Sequence, residues 1–122
     1  MTASLPASRG VPWLRAAGAL LAGLGVALSA YAAHGAEVAV RANLQTAALH
    51  AFGHGVALAA LARGPIARLA RLALSLLLAG SVLFAGSLAW KALAGGSSAA
   101  APFGGGLVLL GWLLYAIAAL RD

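Results

Sequence analysis

Charge is confined to the edges of long uncharged blocks, and this one feature decides what the chain can fold into. Of 122 residues, 63% are apolar and only 8% are charged. A soluble domain carries about a quarter charged residues, so there is too little charge here to coat a surface facing water. A hydrocarbon core of roughly 30 Å takes about 20 helical residues to cross. Four blocks meet that demand: about Ala16–Ala33, Leu44–Ala62, Leu72–Leu93 and Pro102–Leu120. The predicted fold is all-α, a polytopic membrane protein with four transmembrane helices over about 12–33, 44–62, 66–93 and 102–120. They form a single domain, a compact bundle. No ten-residue alternation of the barrel type is visible.

Local punctuation agrees with these spans. Pro12 suits a helix start and Trp13 a headgroup anchor, while His34 and Gly35 mark the first helix end. The second span is the most interrupted, carrying Gln45, Thr46, His50 and His54 before Gly64 and Pro65 supply a stop and a turn. The third is free of charge until Lys91, whose stem can snorkel beside Trp90. Gly95 to Ser98 then break the helix, and Pro102 opens the last span, which contains Trp112 and Tyr115 and ends before Arg121.

The net charge of +6 does not imply nucleic acid as a partner, because the basic residues stand singly at block edges instead of forming a stripe. They report topology. Arg9, Arg15, Arg63, Arg68, Arg71 and Arg121 fall on one side, against Arg41 and Lys91 on the other, so both termini and the middle loop are expected in the cytoplasm. A cleaved signal peptide competes for the first block, since Arg9 and Arg15 precede an apolar run ending in small residues. The run is long for that role, and an uncleaved first span is expected. With no cysteine, disulfides, thiolate metal sites and cysteine nucleophiles are excluded together.

Lipid tails are as apolar as leucine, so helices in a bilayer associate through close backbone approach and interhelical hydrogen bonds. Gly18, Ala22, Gly25 and Ser29 recur at helical spacing and form one stripe. Ser81, Ala85 and Gly86, with Gly80 and Ser87 adjoining, form a second, and Gly104, Gly105 and Gly111 are expected to pack on the last span. The Gly104–Gly106 run after Pro102 has an anion-binding reading at a helix N-terminus, but tight packing is the reading preferred.

Polar groups inside apolar blocks are the default functional candidates, because burying them in lipid is costly. His50 and His54 are four apart and share one face, while His34 ends the preceding helix on the same side of the membrane. All three are candidate ligands for a transition metal or an axial haem position. The plainer reading gives each neutral imidazole a hydrogen bond to a neighbouring helix or to interfacial water. Glu37 precedes Arg41 by four, the favourable order for a surface ion pair. Nothing in the chain has the spacing of a phosphate-binding loop, a dinucleotide fingerprint or a serine-hydrolase elbow. No catalytic residue and no cofactor are therefore implied, and the chain is not expected to be an enzyme.

Four blocks together resemble a family of small bacterial inner-membrane proteins known as domain of unknown function 423, which is related to a eukaryotic four-span protein. Gly25–Gly35 (GVALSAYAAHG) is similar to the family's small-and-aromatic pattern ending in Ala-His-Gly. Gln45, Thr46 and His54 resemble its Gln-Thr followed by a helix-borne histidine, Phe84–Leu88 (FAGSL) its Phe-Ser-Gly-Ser-Leu, and Pro102–Trp112 (PFGGGLVLLGW) its Pro-x-Gly-Gly followed by Gly-Trp. His50 stands where the family pattern has tyrosine, Ala85 replaces a serine and Ala89 an aromatic residue, so the resemblance carries His34 and His54 but not a three-histidine site. It implies a four-helix protein of the bacterial inner membrane with no assigned reaction. Three functions stay open: a structural or accessory protein, alone, as a homo-oligomer or within a larger membrane complex; a small transporter or channel formed by an oligomer; and a metal or haem protein using His34 and His54.

Overall fold

The computed structural model describes residues 10–121. It contains α1 (Pro12–His34), α2 (Val38–Leu61), α3 (Arg68–Ala94) and α4 (Ala101–Leu120), and no strand among the described residues. Each helix is long and apolar enough to cross a membrane, and the chain is an all-α, multi-pass membrane protein.

Helix ends follow from local chemistry. Proline opens α1, where its missing N–H costs nothing, and the Val11 amide donates to the Ala62 carbonyl at 3.0 Å, tying the start of α1 to the end of α2. The third helix closes on Gly95 in the left-handed conformation (φ 69°), with the Gly96 amide reaching back to the Trp90 carbonyl. One boundary differs from expectation: α2 begins at Val38, not near 44. Nothing between Glu37 and Leu44 breaks a helix, so the helix continues past the end of its apolar block. Its 24 residues rise about 36 Å, more than the hydrocarbon thickness, which leaves the turns bearing Arg41 and Asn43 at headgroup level.

The helices run up and down as two hairpins. The first pairs α1 with α2 and the second α3 with α4, and α2 against α3 joins them into a compact bundle; α1 touches α3 only lightly. Arg15, Arg63, Arg68, Arg71 and Arg121 therefore gather at one end and Arg41 with Lys91 at the other. Arg9 lies outside the described residues.

Small residues set the helix spacing. A Cβ on Gly18 would stand 2.7 Å from the Gly55 carbonyl oxygen, and one on Gly25 2.8 Å from that of Ala48. In the second hairpin Gly80 and Gly104 face each other, each placing a Cβ 2.7 Å from the other's carbonyl oxygen. Real side chains do not approach so closely, so backbone contact is the packing here. Leu14, Leu44, Leu58, Leu74 and Leu77 fill the remaining core, whereas Leu20, Leu49, Phe103, Leu109 and Leu120 point outward. In water such a coat of large apolar side chains would be an aggregation surface; in a bilayer it faces its solvent.

Candidate functional site

The most unusual chemistry lies at the middle of α2. His50 and His54 occupy successive turns of one face, and their rings stack with centroids 4.1 Å apart and planes 21° from parallel. Phe84 of α3 packs on His50 at 4.4 Å, and Trp112 of α4 packs on His54 at 5.8 Å, with Tyr115 edge-on beyond it. An imidazole and aromatic strip thus crosses from α2 over α3 to α4, although the backbones of α2 and α4 do not approach each other.

Hydrogen bonding fixes the tautomer of His54. The indole N–H of Trp112 donates to His54 Nε2 at 3.0 Å, and an indole nitrogen can only donate. Nε2 must then be bare, the proton sits on Nδ1, and Nδ1–H donates to the His50 carbonyl oxygen at 3.0 Å. Both ring nitrogens are engaged inside the molecule. His50 Nε2, in contrast, is buried and has no hydrogen-bond partner.

His34 is elsewhere. It ends α1 and lines an outward cavity with Gln45 and Phe52 of α2. Phe52 is two residues from both His50 and His54, which is roughly 200° around the helix, so His34 looks onto the opposite side of α2 from the stacked pair. Among the described residues no three His, Cys, Asp or Glu side chains converge. The three-imidazole arrangement considered from spacing is therefore not formed, and His34 with His54 does not fit a shared metal or haem. The Glu37–Arg41 ion pair is not formed either: Arg41 Nη2 donates to the Ala36 carbonyl at 3.2 Å, because that carbonyl sits in the turn before α2 and needs a donor.

The remaining candidates sort by position. Gly18, Ala22 and Gly25 lie against α2, meeting Gly55, Leu58, Ala48 and Phe52, while Gly104 meets Gly80 and Phe84, and Gly111 meets Ala73 and Leu77. Ser81 and Ala85 are buried, Ser81 with its hydroxyl unpartnered. Ser29 and Gly86 face outward, and Gly105 only grazes Phe84. These three were expected in the packing faces; each sits just off the stripe that its helix turns inward. Sequence reasoning placed Gly80 in the α3 face only as a residue adjoining Ser81, and it missed Gly55 as a contact point and Trp112 as the partner of His54. The four-residue histidine spacing pointed to a shared face, but only the register of α4 against α2 identifies what meets it.

A family model described as "Protein of unknown function (DUF423)" matches residues 28–105, more than half of the chain. The chain belongs to the DUF423 family. No solved structure matches it. His34, His50, His54 and Phe84 of this DUF423 protein lie inside the matched region, whereas Trp112 and Tyr115, which complete the strip, lie beyond it.

Proposed function

We propose that this DUF423 protein is a non-enzymatic accessory or interaction protein of the bacterial inner membrane, with both termini in the cytoplasm. The observation that carries this reading is the closed hydrogen-bond chain from Trp112 through His54 to the His50 carbonyl. Intramembrane polar residues are costly and by default mark pathways or ligand sites, yet here the most conspicuous of them is consumed in holding α4 to α2. The small-residue seams also serve internal packing. What remains for other molecules is the outward surface, so the protein acts by what it binds laterally.

The test is photocrosslinking in native membranes. A crosslinkable amino acid is placed at outward Leu20 or Leu109, with buried Leu77 as the control. Discrete larger species from an outward position, absent at Leu77, are the expected result. Crosslinks to lipid alone at both outward positions, together with ion or solute flux in liposomes that His54→Ala abolishes, would replace this reading with a transport function.

A further inference from the structure

Where α1 and α2 approach through Gly18, Gly25 and Gly55, the curvature of two close cylinders leaves a groove on either side of the seam. One side is turned toward α3, which touches both helices. The other opens outward, and toward the His34 end it widens into a cavity of about 530 Å³. Val26, Leu49 and Phe52 line its depth, and Ser29, His34 and Gln45 line the part nearer the helix ends.

Its dimensions and polarity specify an occupant. From Gly25 to His34 the cavity follows ten residues of α1, whose helical rises give a height of about 13 Å, close to half of a hydrocarbon core of roughly 30 Å. The cavity is thus as tall as one leaflet, apolar at the membrane interior and polar at the boundary. Arg41 stands one turn beyond Gln45 on the same stripe of α2, and its side chain leans toward the helix N-terminus and the headgroups. Only a neutral carbonyl receives its Nη2, and its Nε is buried without a partner. A cation held at headgroup level by a neutral carbonyl alone complements a phosphate diester.

We propose that this groove is a phospholipid site. One acyl chain lies along Val26, Leu49 and Phe52, the phosphate meets Arg41, and Gln45, one turn deeper, donates to an ester oxygen. Ala30 and Ala33, which also line the groove, keep it wide enough for the chain. The proposal does not depend on the accessory role.

Native mass spectrometry of the full chain in mild detergent, loaded with phosphatidylglycerol, tests it. One phospholipid per chain is expected to survive collision energies that strip all others. Ala30→Trp, which fills the groove from an outward position, should lower the retained fraction at least tenfold. Arg41→Gln should lower it at least threefold, and Ala27→Trp, outward on α1 but not lining the groove, should leave it unchanged. Equal retention by wild type and Ala30→Trp overturns the site. Equal loss in Ala27→Trp and Ala30→Trp reduces it to ordinary boundary lipid and overturns it as well. Loss in Ala30→Trp with full retention in Arg41→Gln overturns the phosphate assignment in favour of an uncharged amphiphile.

Discussion

An indole N–H buried in a membrane needs an acceptor, and a neutral imidazole offers only one. The pairing of Trp112 with His54 satisfies both and sets the tautomer at no further cost. Trp112→Phe keeps a ring against His54 but leaves Nε2 bare, and interhelical hydrogen bonds in membranes are worth about 0.6 kcal/mol on average and up to about 1.7. Unfolding in mixed micelles should register a loss of that size. Nitrogen NMR of the same variant should shift the His54 Nε2 resonance, which loses its donor, while the His50 carbonyl keeps the proton on Nδ1. Unchanged stability together with an unchanged Nε2 resonance would show that the bond does not form. Ser81 makes the opposite case. It is fully buried with an unpartnered hydroxyl, so Ser81→Ala removes a desolvated polar atom and no hydrogen bond. Its stability should be unchanged or higher by up to about 1 kcal/mol; a clear loss would reveal a partner for Ser81.

At the scale of the helix, the two hairpins divide their glycines into those that let backbones touch and those that do not. Gly80 meets the Gly104 backbone, whereas Gly86, six residues on, has open space around it. Gly80→Leu forces α3 and α4 apart, with an overpacking cost of about 1–3 kcal/mol, and carries Trp112 away from His54. Gly86→Ala meets nothing and gains helix propensity of about 0.5–1 kcal/mol. Thermal unfolding in detergent should separate the two variants by sign, and a destabilising Gly86→Ala would place that face in a contact. The same contrast shows what was legible in the sequence. The spans were readable from the charge gaps, and their ends from Pro12, Gly35, Gly95 and Pro102, because hydropathy and backbone chemistry are local. The α1 stripe from Gly18 to Gly25 was readable for the same reason. Gly86 was misplaced and Gly55 overlooked, because glycine is common throughout the chain and only the relative rotation of two helices chooses which glycine is inside. The start of α2 escaped because hydropathy marks where the membrane ends, not where the helix ends.

For the whole molecule the open question is direction, and charge supplies the argument. The bundle gathers Arg15, Arg63, Arg68, Arg71 and Arg121 at one end and only Arg41 and Lys91 at the other, and an excess of Lys and Arg in short loops stays in the cytoplasm. The absence of native cysteine makes this directly measurable. A single cysteine replacing outward Ala99, between α3 and α4, should react in intact cells with a membrane-impermeant maleimide. One replacing outward Ala67, between α2 and α3, should react only after the membrane is opened. The reverse pattern would show that the five arginines do not set the orientation, and labelling of both in intact cells would mean a mixed insertion. Direction also fixes chemistry elsewhere in the molecule. Ala99 shares an end with His34, Gln45 and Arg41, so labelling of Ala99→Cys from outside places the α1/α2 groove in the outer leaflet. The phospholipid it holds is then drawn from the leaflet facing away from the cytoplasm, and spin-labelled lipid supplied from that side should reach it without first crossing the membrane.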